Sequence, residues 1–259
     1  MDILPDREKR TAENNLLTNK MMVTLCIACV DLMLVMGIRW GYSASGAFPF
    51  FYTATKVLMF LMLAVAVFGI GKEIAGRKKD AARSGQIFTG AFIAGCAALL
   101  AFACYEMAYT DYLSSSKFLY VFIPAVCVLY LIYLVYRREF FIVSLLGAVV
   151  ALYIWRYARH AAGSAGFYAW QAVLLLVFAG SIFLLALMNR SGGTITVRGV
   201  RYRFLPPDAA FGPALLGLGV LAALVLAMFF IPAGFFMYLA YAAVALVFFL
   251  AVYFTVIML

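Results

Sequence analysis

Long apolar stretches separated by short polar segments dominate the pattern of this chain. A helix needs about 20 mostly apolar residues to cross the hydrocarbon core of a bilayer, and most of the stretches approach that length. Proline and glycine at residues 231–234 divide the last apolar run into two. The pattern predicts eight membrane-spanning helices, over residues 21–38, 48–70, 86–104, 118–136, 140–155, 167–188, 212–230 and 233–258.

The predicted fold is therefore an all-α polytopic membrane protein, a bundle of about eight transmembrane helices in four hairpins. In the longest connection, residues 194–204 alternate apolar and polar around Gly199, which predicts a short β-hairpin or interfacial flap. A stiff linker is the alternative for this segment. The predicted organisation is a loose N-terminal tail at 1–20, a six-helix core at 21–188, a basic connector at 189–211 and a C-terminal hairpin at 212–259.

The composition agrees with lipid as the solvent of this chain. Hydrophobic residues make up 67% of the sequence and charged residues only 12%, whereas soluble domains are about 45–50% apolar and about 25% charged. A soluble fold of 259 residues could not bury that much apolar surface, because the buried fraction is limited by the ratio of surface to volume.

The basic residues predict the orientation in the membrane. If the N-terminus is cytoplasmic, most of the 20 Lys and Arg fall in inner segments, and the outer loops hold only Arg39, Lys117, Arg156 and Arg159. This asymmetry predicts that both termini are cytoplasmic. The net charge of +9 is then explained by orientation and by anionic lipid headgroups at the inner loops, so no nucleic-acid partner is expected. Compact loops favour a bacterial cytoplasmic membrane.

Two charges interrupt the first pair of apolar segments, Asp31 in the first and Lys56 in the second. An unpaired charge at the centre of a membrane helix costs about 2.5–3.5 kcal/mol. Asp31 lies about 12 Å from the predicted outer end of its helix and Lys56 about 9–12 Å from that of the next. The equal depths predict that the two side chains pair inside a polar pocket in the outer half of the bundle.

Further polar side chains are predicted to reach this pocket. Tyr52 and Thr53 precede Lys56 by four and three residues and share its helix face. The other candidates stand near predicted outer helix ends. The predicted substrate-binding set is Asp31, Lys56, Tyr52, Thr53, Gln171, Glu106 and Arg156. The alternative is a structural Asp31–Lys56 pair that only locks the first hairpin.

Ionisable groups inside a membrane favour transport. The sequence predicts a small transporter or permease-like protein that handles a small solute or a lipid headgroup. The alternative is a non-catalytic assembly or regulatory subunit of a membrane complex. Small residues at four-residue spacing favour close helix contacts, within the chain, in a homo-oligomer or with a membrane partner. They are Gly90, Ala94 and Ala98 on one segment and Gly219, Ala223 and Ala227 on another.

Catalytic signatures are absent from the sequence. It has no metalloprotease His-Glu-x-x-His, no nucleophile elbow and no phosphate-binding loop. With one histidine, and with all five cysteines inside apolar segments, a Cys/His zinc site is not expected. We therefore expect a protein that is not an enzyme and that holds no metal or cofactor.

Overall fold

The computed structural model describes residues 4–44, 48–76, 89–160, 165–191, 194–197, 200–203 and 211–258. Eight α-helices account for most of these residues, and a short 3-10 turn at Ala233–Phe235 precedes the last one. The helices are α1 Leu4–Ser43, α2 Phe48–Gly76, α3 Gly90–Tyr109, α4 Tyr112–Val135, α5 Arg138–His160, α6 Ala165–Arg190, α7 Phe211–Ala227 and α8 Phe236–Met258.

Seven of these helices are long and apolar enough to cross a bilayer. The chain is therefore a multi-pass helical membrane protein. Helix α7 has 17 residues, which span roughly 26 Å at 1.5 Å per residue, somewhat less than the hydrocarbon core. An eighth crossing by α7 stays a prediction.

Helix ends differ from the predicted ones at several places, and two of these differences change the description of the chain. Helix α1 is continuous from Leu4, so residues 4–20 are helical rather than a loose tail. Helix α4 begins at Tyr112, six residues before the predicted start at 118, because Asp111 caps it. The Asp111 carboxylate accepts hydrogen bonds from the backbone N–H groups of Leu113 (3.4 Å) and Ser114 (3.2 Å), which are otherwise unpaired at a helix start.

The segment after α6 contains two short strands, β1 Thr194–Val197 and β2 Val200–Arg203. They pair antiparallel, with Thr194 opposite Arg203 and Val197 opposite Val200. The alternating part of the connector thus forms a β-hairpin, whose turn at 198–199 lies outside the described residues.

The chain divides into two compact units, Met1–Val128 and Leu129–Leu259. The division falls within α4, whereas the sequence suggested a boundary near residue 188 in a loop. The predicted organisation stays a prediction.

The first unit contains a close contact between the backbones of α2 and α3. A methyl group on Gly90 would lie 2.6 Å from the Gly69 carbonyl oxygen and 2.9 Å from the Glu73 nitrogen. The same hairpin caps α3, since the Glu73 carboxylate accepts from the N–H of Ala91 at 3.3 Å. Glycine is required here because two helix backbones can approach this closely only without side chains.

A cluster of hydrophobic side chains in the first unit joins α1, α3 and α4 near the C-terminal end of α1. It consists of Val35, Tyr42, Ala103, Met107, Leu119 and Ile123, all of them buried. The buried face of α1 continues along the helix through Asp31 and Thr24, at spacings of four and seven residues. This periodicity directs Asp31 toward α2 and α3 rather than toward lipid.

The second unit packs α5 against α8 and α7. The Val247 and Leu221 side chains occupy the space beside Gly147, and the rings of Phe140 and Phe254 meet with centroids 5.3 Å apart. On α7, the glycine in close contact is Gly217, where an added methyl would lie 2.7 Å from Leu250 Cδ1.

The predicted small-residue stripes divide between buried and exposed positions. Gly90 and Ala94 are buried, but Ala98 is exposed. On α7, Gly219 and Ala223 are exposed, with nothing within 4 Å of an added methyl on Gly219. The first stripe is therefore partly an internal contact, and a role of the second in oligomerisation stays a prediction.

Candidate functional site

Asp31 is a buried carboxylate with an unsatisfied oxygen. Its side chain is 4% exposed, and Oδ2 has no hydrogen-bond partner. It stands 12 residues before the end of α1 at Ser43, roughly 18 Å along the helix axis. A buried polar atom without a partner is rare in folded proteins, so each one calls for an explanation.

Asp31 opens into a cleft of about 260 Å³ between three helices of the first unit. The walls are almost entirely apolar, so the carboxylate is the principal polar group of the cleft. Other lining residues are Ile27 from α1, Met62 and Val65 from α2, and Phe92, Cys96 and Leu100 from α3.

This arrangement favours a ligand with a positive or hydrogen-bond-donating group. Moving a carboxylate out of water is costly unless a proton, a cation or a donor compensates it. The apolar walls add hydrophobic contact for the rest of such a ligand. Small ligand sites commonly combine apolar walls with a few polar groups in this way.

The predicted Asp31–Lys56 pair is wrong. No ion pair joins these two described residues, and Lys56 does not line the Asp31 cleft. The Lys56 ammonium instead lies 4.1 Å from the ring centroid of Tyr52 and 5.2 Å from that of Tyr109. The two charges therefore have different surroundings, one apolar and one aromatic.

The cause is the register of α1 against α2. The sequence placed the outer end of the first helix at Arg39, but α1 continues to Ser43. The Phe51 ring occupies the space that a side chain at Gly41 would fill. In that antiparallel register, Asp31 lies level with Leu61, which is five residues, or roughly 7–8 Å, beyond Lys56.

The other predicted residues of the first unit divide into two groups. Tyr52 does lie with Lys56, as their i, i+4 spacing predicts. Thr53 is exposed and donates its hydroxyl to the Pro49 carbonyl at 2.9 Å. Glu106 accepts from the Thr110 hydroxyl at 3.3 Å and the Ser115 hydroxyl at 3.5 Å, so its carboxylate joins the connection between α3 and α4.

Gln171 and Arg156 belong to the second unit. Gln171 is fully buried and donates from Nε2 to the Val225 carbonyl at 2.7 Å, while its Oε1 has no hydrogen-bond partner. Arg156 is partly exposed near the end of α5. Their participation in one pocket with Asp31 stays a prediction.

Sequence reasoning missed two buried polar groups. Glu139 in the first turn of α5 is 0% exposed, and neither carboxylate oxygen has a hydrogen-bond partner. In the sequence, Glu139 stands beside Arg137 and Arg138 at the start of an apolar stretch, and this position gives no sign of its burial. The Tyr42 hydroxyl is also buried and forms no hydrogen bond of ordinary geometry, with the Thr55 hydroxyl nearby, although the position of Tyr42 in the sequence is typical of an aromatic of the membrane interface.

Metal binding finds no support in the described ranges, where no group of three or more His, Cys, Asp or Glu side chains is placed to hold an ion.

The comparisons with known proteins give no relative. No protein-family model matches the chain, and no curated protein or solved structure shows significant similarity to it.

Proposed function

We propose that this multi-pass membrane protein is a small transporter or permease-like protein that binds its solute in the Asp31 cleft. The observation that supports this is one buried carboxylate, with an unsatisfied oxygen, facing an apolar cleft inside the span of the membrane. Intramembrane ionisable groups that face a cavity are typical of substrate and ion pathways.

The volume and chemistry of the cleft favour a particular class of solute. Pockets for drug-sized ligands occupy about 300–1,000 Å³, and this one has about 260 Å³. A small amine, or the cationic end of a lipid headgroup, would neutralise Asp31 and place its carbon atoms against Met62 and Val65. A large polar solute such as a sugar would leave many hydroxyls unpaired against these walls.

The topology that accompanies this proposal has eight crossings, with α7 as the seventh, and both termini cytoplasmic. The sequence supports it through the asymmetry of Lys and Arg. A bacterial cytoplasmic membrane remains the proposed location.

The test is uptake into vesicles that contain the purified protein. We expect at least one radiolabelled amine among choline, ethanolamine and short alkylamines to accumulate faster than in empty vesicles. Asp31→Asn should slow that uptake by roughly tenfold or more, since it removes an interaction worth more than about 1.4 kcal/mol. The matched control is Asp111→Asn, which changes an exposed carboxylate outside the cleft.

Two results would argue against transport. One is uptake of every amine at the rate of empty vesicles, and the other is equal uptake by the wild type and Asp31→Asn. A partner that co-purifies with the wild type but not with Asp31→Asn would support the assembly or regulatory subunit instead. In that case a basic side chain of the partner would pair with the Asp31 carboxylate.

A further inference from the structure

Lys56 lies among aromatic side chains near the N-terminal end of α2. It follows Phe48 by eight residues, roughly 12 Å along the helix. Its ammonium lies over the ring of Tyr52, one turn nearer to Phe48. The side chain therefore extends toward the end of the helix, as lysine does when it carries its charge from a membrane span toward the interface.

The charge of Lys56 has no acidic counterpart where the structure describes the chain. The Tyr52 and Tyr109 rings attract the ammonium through their electron-rich faces. They carry no net charge, so an anion can still gain from binding to this group. The three N–H donors of an ammonium can serve a ring and an anion together.

Tyr42 supplies a second donor in the same cluster. Its ring meets those of Phe48 at 5.3 Å and Tyr112 at 5.7 Å between centroids, and Phe48 stacks at 5.9 Å on Tyr52, the ring beneath the Lys56 ammonium. The side chain is 5% exposed, and its hydroxyl forms no hydrogen bond of ordinary geometry, although the Thr55 hydroxyl lies nearby. A buried hydroxyl in this state gains a hydrogen bond when an acceptor enters.

The exposed side chains around this end of α2 are typical of the interfacial layer of a bilayer. Trp40 is 73% exposed and Phe50 is 71% exposed, and exposed aromatics of this kind collect at the level of lipid headgroups. At that depth, the anion most abundant in a phospholipid membrane is a phosphate group. Lysine is an established binder of phosphate as a point charge.

We propose that Lys56 and Tyr42 form a binding site for a phosphate group at this end of the first unit, with Tyr52 and Tyr109 as its aromatic wall. The group is the phosphate of a phospholipid headgroup or a free phosphate, which share the same chemistry. Lys56 does not line the Asp31 cleft, so this site is independent of the proposed transport function.

The experiment titrates the full-length protein, in a detergent without phosphate, with phosphatidylglycerol and follows lipid binding by native mass spectrometry. A glycosyl diacylglycerol with the same acyl chains is the comparison lipid. We expect phosphatidylglycerol to bind roughly tenfold tighter to the wild type and Lys56→Gln to remove that preference. Tyr42→Phe should weaken it about threefold, since it removes a single hydrogen bond.

Lys117→Gln is the matched control, because Lys117 is exposed in the first turns of α4 and belongs to the same unit. It should leave the preference unchanged. If Lys56→Gln does not fold, two other variants test the proposal. Tyr42→Phe should bind phosphatidylglycerol more weakly than the wild type, and the charge-preserving Lys56→Arg should retain the binding. Displacement of the lipid by inorganic phosphate would identify a free anion as the ligand, and resistance to it would identify a lipid.

The proposal is overturned if phosphatidylglycerol and the glycolipid bind the wild type equally. It is also overturned if Lys56→Gln binds like the wild type, or if Lys117→Gln loses as much affinity as Lys56→Gln. The last result would mean general attraction to basic surface rather than a site.

Discussion

At the scale of single residues, this chain accommodates its two intramembrane charges separately. Asp31 faces an apolar cleft, and Lys56 lies over two tyrosine rings. Sequence reasoning identified both residues and the Tyr52–Lys56 contact, because these depend on composition and on local helix periodicity. It missed their separation, because pairing depends on the register between α1 and α2, and a helix end misplaced by four residues moves a side chain by roughly 6 Å.

A double-mutant cycle tests this separation directly. Groups that are not in contact usually change stability independently, so the shifts in melting temperature of Asp31→Asn and Lys56→Met should add in the double variant. The measurement is thermal unfolding of all four proteins in the same detergent. A double variant that regains the stability lost in the single variants would mean that the two charges do pair.

Asp111 makes a second prediction for a single side chain. Hydrogen bonds from the Ser114 hydroxyl (2.8 Å) and from the Ser114 N–H hold the pKa of Asp111 below its ordinary value of 3.8. The cap therefore stabilises the fold fully above about pH 4, and the contribution is lost as the pH falls through the lowered pKa. Asp111→Ala should lower the melting temperature at pH 7, and the difference from wild type should shrink at pH 3.

The pH-independent control is Ser116→Ala in the same helix turn, which removes a hydrogen bond from the Ser116 hydroxyl to the Leu113 carbonyl (3.0 Å) and involves no titratable partner. A melting difference for Asp111→Ala that is equally large at pH 7 and pH 3 would contradict the capping role.

At the scale of elements, the apolar pattern predicted the helices well and their ends less well. Each long apolar run forms a helix because the backbone must satisfy its own hydrogen bonds in lipid. The start of α4 was misplaced because Asp111 and the following serines read as polar loop, whereas the carboxylate caps the helix and lets those serines belong to it. The small-residue spacing on α3 correctly marked a close contact, but only Gly90 and Ala94 of that stripe are buried.

Glycines in the α2–α3 hairpin give a prediction with built-in controls. Gly90→Ala should destabilise the protein by about 1–3 kcal/mol, because the added methyl meets backbone atoms that cannot rotate away. Gly69→Ala should act in the same direction, with its methyl 2.9 Å from the Gly90 carbonyl oxygen. The measurement is unfolding in denaturant or heat.

Gly71→Ala and Gly95→Ala are the matched controls on the same two helices, since nothing lies within 4 Å of a methyl at either position. Both should be neutral or slightly stabilising, because alanine favours a helix. Equal losses at all four positions would contradict this account, because they would show that the loss does not depend on the close contact.

At the scale of the whole molecule, composition was sufficient to predict a multi-pass membrane protein. Seven helices have the required length and apolarity. Function was less predictable, because a carboxylate in a membrane helix gives the chemistry of a site but not its occupant. Since the charge pair does not form, the transport proposal now depends on the Asp31 cleft alone.

The proposed topology has its own test in reporter fusions. A cytoplasmic reporter should be active when joined after Lys78 and after the last residue, and inactive when joined after Asp111, because the basic segments are expected to remain inside. An inactive reporter at Lys78 together with an active reporter at Asp111 would mean that the orientation is reversed. A reporter that is active at only one of the two proposed cytoplasmic positions would mean an odd number of crossings between them.

The most direct test of the Asp31 cleft as a cation-binding site is the labelling of Cys96, which lines it. In variants that retain only one cysteine, a cationic water-soluble thiosulfonate should modify Cys96 roughly tenfold faster than an anionic one, and Asp31→Asn should abolish that difference. Cys29 is exposed on the membrane-spanning part of α1 but does not line the cleft. Because it is expected to face lipid rather than water, it should react slowly with both reagents. Labelling of Cys96 that is as slow as that of Cys29, or that is indifferent to the charge of the reagent, would contradict the account.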